Sequence, residues 1–451
     1  MKPAAALAAA ACVIGGCPAA ASAASDLRFP PTQDRPPPGH VRSAREVLGI
    51  AGAVAKVRAI LPHHPGYTRT AYLKGADRWQ VSWFDRQRRG HERKEIGQVL
   101  IHDRTGRVLE AWTGFQVPWT MARGYPGAFG RKANALYVWI PLCVLFVVPF
   151  LQPRRPRRLL HLDLLMLLGL SVSLAFFNHG RIGISVPLAY PFLAYVLVRL
   201  LFAARPRARA PDPVRLLVPA SWLAVALVFL VGFRIGLNVV NSNVIDVGYA
   251  GVIGADRLVD GKRLYGNFPS DNEHGDTYGP VDYYAYVPFE QALPWSGRWD
   301  DLPAAHAAAI FFDLVCMLLL WLLGRRIRGP TLGVALAYAW AAYPFTLFTL
   351  CSNSNDSLVA ALVLGALAVA TSAPARGAMT ALAGLTKFAP LALAPLFATY
   401  RDPTRPGRGG RLRQVALFAA AFLAVGAVAL LPALLDGGLH TFWDRTIHFQ
   451  Q

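Results

Sequence analysis

Charge is scarce in this sequence. Only 16% of its 451 residues are Asp, Glu, Lys or Arg, against 54% that are apolar, a balance that excludes an ordinary soluble globular protein. Cysteine is scarcer: of five, Cys12 and Cys17 lie before residue 24, Cys143 and Cys316 sit inside apolar runs, and only Cys351 is near an aqueous boundary. That placement excludes a disulfide framework and a zinc-ligand pattern. Acidic residues are the rarer charged class, 26 against 46 basic ones, so the places where they collect carry information.

Apolar length is what the chain has in quantity. Runs at roughly 134–151, 160–177, 183–202, 216–236, 304–323, 331–350, 357–372, 378–398 and 415–434 approach the ~20 residues that cross a hydrocarbon core of ~30 Å. The fold class expected is an α-helical polytopic membrane protein. Before these runs, Lys2, the apolar stretch Ala4–Gly16 and the small residues Ala21-Ser22-Ala23 read as a secretory signal over 1–23. A rival reading takes Val13–Cys17 as a lipid-attachment box on Cys17. Either one delivers the following residues outside the cytoplasm.

Arginine orients the runs. Arg154, Arg155, Arg157 and Arg158 follow the first; Arg205, Arg207, Arg209 and Arg215 follow the third; Arg325, Arg326 and Arg328 follow the fifth; Arg401, Arg405, Arg408, Arg411 and Arg413 precede the last. The complementary connections hold only Arg181, Arg257, Lys262, Arg263, Arg298 and Arg445. The positive-inside rule then puts the N-terminal region and the 238–301 connection outside a plasma membrane. The run 378–398 breaks the alternation, because Arg376 and the Arg401–Arg413 group flank it on the same side. With Pro390, Pro395 and Lys387 inside it, a re-entrant hairpin or two half-helices is expected. Lys387 has two readings: a functional intramembrane cation, or a lysine snorkelling to an interface.

No run long enough to span lies between Asp26 and Lys132. Prolines 30, 31, 36, 37 and 38 make 24–40 an extended linker. Ser43-x-x-Glu46 is a capping box opening a helix over Val47–Ile60. Strands are expected at Tyr67–Leu73, Trp79–Phe84, Gly97–His102 and Val108–Trp112, with Asp103–Gly106 as a hairpin turn. This α+β unit, assigned to 41–132, resembles a PepSY domain in Trp79-Gln-Val-Ser-Trp83 and Asp103-x-Thr-Gly-x-Val-Leu109. From Asp26 to Lys132 there are 19 basic and 9 acidic residues. The excess suits anionic headgroups or acidic wall polymers, or is simply a solvated face. An exported domain makes nucleic acid a poor partner.

The 238–301 connection inverts this charge. It holds Asp246, Asp256, Asp260, Asp271, Glu273, Asp276, Asp282, Glu290, Asp300 and Asp301 against four cations, with Tyr249, Tyr265, Tyr278, Tyr283, Tyr284, Tyr286, Trp295 and Trp299. Rings that stack on pyranose faces and carboxylates that accept hydroxyl hydrogen bonds suit a sugar site; an interfacial aromatic belt with a solvated acidic loop is the bland alternative. Asp271, Glu273 and His274 offer weak metal ligands, without EF-hand spacing.

A carboxylate just past a span (Asp246), a short helix after it, Gly261-x-x-Leu-Tyr265, Tyr278-Gly-Pro280, Asn353-Ser-Asn355-Asp356 and Gly384-Leu-Thr-Lys387-Phe-Ala-Pro390 together resemble the GT-C glycosyltransferases. The nearest likeness is to actinobacterial mannosyltransferases that use a polyprenyl-phosphate sugar, and it covers about 215–451, after three runs at 134–202. The resemblance implies a polyprenyl-phosphate donor, an envelope glycan or glycolipid acceptor, and inverting transfer on the outer face. It implies no cofactor, while a divalent cation stays open. Asp246 is then the base, with Asp276 a second catalytic candidate. Tyr249, Tyr278, Asp282, Asn355 and Asp356 become substrate-binding residues, and Lys387, or more weakly Arg263, the cation for the lipid phosphate. The resemblance also implies helices beyond Gln451, so either a fragment or a degenerate member without activity is expected. The competing function is a non-enzymatic membrane protein of envelope assembly or polymer export.

Overall fold

The computed structural model describes residues 27–86, 94–125, 127, 130–203, 215–269, 272–299, 301–400 and 410–448. The signal at 1–23, Asp271, Asp300, the arginines at 205–209 and those at 401–408 lie outside the described residues. The chain divides into two compact units, one ending at Ala111 and one running from Trp112 to Gln451, with Glu95–Gly97 grouped with the second.

The first unit has two helices, α1 (Ala44–Gly52) and α2 (Ala55–Ile60), and a five-stranded sheet in the order β1 (Leu27–Arg28), β2 (Thr68–Lys74), β3 (Arg78–Phe84), β4 (Glu95–His102), β5 (Val108–Thr113). The capping box forms in both directions: Glu46 N–H donates to Ser43 Oγ at 3.3 Å and Ser43 N–H to Glu46 Oε2 at 2.8 Å. The expected single helix is two, parted at Ala53–Val54. Part of the expected linker is a strand, Leu27 pairing with Lys74. Gly106 turns the β4–β5 hairpin at φ 67°, a value glycine reaches without steric cost. Buried Asp103 accepts from Val41 N, Arg42 N and Trp79 Nε1 at 2.7, 3.1 and 2.8 Å. These bonds, added to those of the turn, tie the segment before α1 to the sheet's Trp79 core.

Residues 112–132, counted with this unit from the sequence, pack within the second. The Arg123 guanidinium sits 5.6 Å from the Trp112 ring and donates to the carbonyls of Gln116 and Val117. Gln116 Nε2 donates to the carbonyls of Ala122 and Asn178.

The second unit is a helical membrane protein. Among the described residues, five helices are long and apolar enough to cross a bilayer: α4 (Leu159–Phe177), α5 (Ile182–Ala203), α6 (Ala220–Val240), α9 (Pro303–Arg328) and the Arg411–Leu435 part of α15 (Arg411–Thr446). The other apolar runs are shorter or broken. Helix α3 (Leu136–Val147) is short. Helices α10 (Pro330–Ala342) and α11 (Pro344–Ser352) meet at a 59° bend, where Pro344 forces Tyr343 into an extended conformation. Helices α12 (Asp356–Ala368) and α13 (Ala373–Gly384) follow. After α13 the run 378–398 loses α geometry at 385–388, then resumes as a 3₁₀ turn, Ala389–Leu393, and α14 (Ala394–Thr399). Buried Arg376 on α13 donates to Phe397 O at 2.9 Å and to Ala370 O, and its guanidinium lies 5.2 Å from the Tyr400 ring. The segment therefore folds back alongside α13. Between α6 and α9 lie two shorter helices, α7 (Asp246–Val259) and α8 (Pro280–Ala292).

Candidate active site

Two backbone dockings assemble the site. In the first, the chain leaving α6 runs along the end of α11. Asn243 N–H donates to Cys351 O at 3.4 Å and Ile245 N–H to Ser352 O at 3.1 Å. Asn353, left-handed at φ 52°, donates from Nδ2 to Ser242 Oγ and Asn243 O at 3.0 and 2.9 Å, and accepts from Asn238 Nδ2 at 2.7 Å. Asparagine tolerates this backbone better than other non-glycine residues. Gly248 completes the contact, since a Cβ there would lie 2.0 Å from Asn353 O. The first turn of α7, opened by exposed Asp246, is thereby held against the Asn353–Asp356 turn.

In the second docking, Tyr278-Gly279-Pro280 lies against the break after α13. Gly279 N–H donates to Thr386 O at 3.4 Å and Val281 N–H to Leu385 O at 3.1 Å. A Cβ on Gly279 would meet Leu385 O at 1.9 Å, so only glycine allows this approach. Tyr278 is thus set beside Lys387, whose Nζ lies 5.6 Å from the ring centroid and pairs with Asp356. Asp356 also accepts from Ser354 Oγ at 2.9 Å.

Asp282 and Asn355 close the cluster beneath. Asn355 Nδ2 donates to Asp282 Oδ1 at 2.9 Å, and both residues are fully buried. Three polar atoms here have no partner: Asp282 Oδ2, Asn355 Oδ1 and Tyr286 Oη. Burial pushes the Asp282 carboxyl up to about 7, against the Asn355 hydrogen bond and the Lys387 charge, which pull it down. Tyr278 is raised by burial and then by the charges of Asp282, Asp246 and Asp356.

This makes a pH prediction. Asp282 titrates higher in the folded chain than the ~3.9 of an unfolded aspartate, so the native state keeps a proton that the unfolded state has lost. The contribution of Asp282 to native stability is then greatest below about pH 4 and falls as pH rises towards 7. Asp282→Asn, melted beside the parent from about pH 5 to 8, is expected to gain on it as pH rises, by roughly 2–3 kcal/mol over that range. A melting difference that stays flat with pH would contradict this assignment.

The sequence candidates separate into groups. Asp246, Tyr278, Asp282, Asn355, Asp356 and Lys387 come together. Asp276 stands on the neighbouring turn, fully buried, with Oδ2 accepting Gly266 N–H at 2.6 Å and facing Arg445 Nε at 3.6 Å. Burial raises its pKa, while the Gly266 N–H and Arg445 oppose the shift. Tyr249 is 1% exposed and stacks on Trp299 at 4.9 Å, in the core rather than on a surface a sugar reaches. Arg263 is exposed and joins its neighbours through its carbonyl, which accepts from Arg257 Nε at 2.6 Å. Glu273 and His274 are exposed, and among the described residues no three His, Cys, Asp or Glu side chains are placed to hold a metal ion.

Two features escape sequence reasoning. Arg234 on α6 and Asp313 on α9, each deep in an apolar run, form a buried two-bond pair at 3.0 and 2.6 Å. Asn238 Oδ1 meets His306 Nδ1 at 3.0 Å beneath the Asn353 turn. A lone charge of each sign inside an apolar run was the available signal for the first.

Residues 277–450 match the family model of glycosyltransferase family 87. The match supports a glycosyltransferase, one that takes a sugar donor and an acceptor in a membrane setting. The matched region contains Tyr278, Asp282, Asn355, Asp356 and Lys387; it begins one residue after Asp276 and leaves Asp246 outside. No curated protein and no solved structure matches the chain.

Proposed function

We propose that the chain moves a sugar from a polyprenyl-phosphate donor to a hydroxyl of an envelope glycan or glycolipid, with inversion, on the outer face of the plasma membrane. The observation that carries this reading is Lys387 held between the Tyr278 ring and Asp356, with Asp282 bonded to Asn355 beneath and Asp246 opening α7 against the Asn353 turn. Asp246 is the exposed carboxylate of the three with no role in an ion pair, and it acts as base. It takes the acceptor hydroxyl's proton as that oxygen bonds the anomeric carbon. The bond from that carbon to the phosphate oxygen breaks, and its electron pair leaves with the lipid phosphate. Lys387 stands at the break in an apolar segment, where a lipid headgroup would meet it, and offsets the charge developing on the phosphate. Tyr278 offers a ring face for the sugar. The arginine distribution supports the outward placement.

The test is Asp246→Asn in membranes supplied with polyprenyl-phosphate sugar. The amide keeps the shape and cannot take a proton, so transfer is expected to fall by about 10²–10⁴-fold. Transfer at the parental rate would remove Asp246 from the mechanism.

A further inference from the structure

Just before Tyr278, the turn at 274–277 and the end of α15 border an open pocket of about 340 Å³, lined by His274, Asp276, Thr277, Asp444, Arg445 and His448. The volume lies within the range of small-molecule sites. Among the described residues, every side chain that lines it is polar or charged. Its two carboxylates oppose a free phosphate. Asp444 lies between His440 and His448, at 2.9 and 3.9 Å, and Arg445 faces Asp276. Asp276 is the sharpest feature: the residue is fully buried, and its Oδ1 has no partner. Guanidinium and hydroxyl donors, carboxylate acceptors and imidazoles that do either suit a ligand whose groups each give and take hydrogen bonds. A neutral sugar is such a ligand.

We propose that this pocket binds a sugar residue of the acceptor glycan, a proposal that rests on the transferase reading above. Asp276 and Tyr278 are two residues apart, a span of at most about 7 Å. On this proposal a glycan seated here extends its next residue towards Tyr278 and the Asp246 cluster. The donor sugar, tied to its lipid, enters from the Lys387 side.

The experiment is saturation-transfer NMR on the full chain in nanodiscs, with methyl hexosides and methyl pentosides as probes. At least one glycoside is expected to take up saturation from the parent chain and from Lys387→Ala. It should lose at least about ten-fold in affinity in Arg445→Ala and Asp444→Asn, the loss of one charged hydrogen bond. The same variants should raise the acceptor KM and leave the donor KM unchanged. If Arg445→Ala fails to melt cooperatively, Thr277→Val and His448→Ala give the same readout. The proposal is overturned if no glycoside binds, if binding survives the pocket variants, or if inorganic phosphate displaces the glycoside. Binding is read without turnover: pocket-dependent binding with no transfer would sink only the transferase reading, and transfer with pocket-independent binding only this one.

Discussion

Replacing Lys387 by methionine is expected to lower sugar transfer by about 10²–10³-fold, the usual cost of removing one group that stabilises charge developing in a transition state. On the proposed mechanism the loss should fall mainly on kcat, because charge on the bridging oxygen would grow as a lipid phosphate departs. Lys387→Arg, which keeps the charge at nearly the same reach, should recover part of the rate. Unfolding is a poor alternative explanation. The Lys387 and Asp356 side chains are 26% and 56% exposed, and ion pairs this accessible contribute only ~0–1 kcal/mol. Rates measured at saturating polyprenyl-phosphate sugar decide the matter. A change of less than a few-fold would leave Lys387 as an interfacial lysine and nothing more.

Asp313→Leu is expected to destabilise the helical unit by about 3–5 kcal/mol. Asp313 accepts from Arg234 Nε and Nη2 and from Trp340 Nε1 at 2.7 Å, while Arg234 Nη1 donates to Ala341 O at 3.1 Å and Thr346 Oγ1 at 3.2 Å. The network joins α6, α9, α10 and α11 at the 59° bend. The side chains are 1% and 3% exposed, so removing the carboxylate strands a guanidinium in an apolar interior. Removing both charges avoids that penalty. The double variant Arg234→Met with Asp313→Leu should therefore melt in detergent well above Asp313→Leu alone. Equal melting of the single and double variants would show that the pair is not coupled.

This pair also shows where reading along the chain stops. Arg234 and Asp313 are 79 positions apart, each one charge in an otherwise apolar run, and neither run carries a sign of the other. Lys387 was legible for a different reason: two prolines and arginines on both flanks marked its segment as broken, and broken backbone at membrane depth lines protein or a cavity. Tyr249 shows a signal present but unused. It falls with Val252 and Ile253 at helical spacing after Asp246, the pattern of a buried face, and the structure buries all three.

The sequence by itself determined the membrane class, the positions of the apolar runs, the capping box and hairpin of the N-terminal unit, and the acidic segments from which the site is drawn. These follow from local composition and periodicity, which act over one helix or one turn. Only the tertiary structure decided which acids share a site. Asp246, Asp282 and Asp356 meet at Tyr278 because Gly248 and Gly279 have no side chain to hold α7 away from Asn353 or α8 away from Leu385. It also decided that Asp282 goes beneath the site with Asn355 while Asp246 stays exposed. Burial, which sets the two carboxyls apart, depends on residues far away in the chain and cannot be read from either aspartate's neighbours.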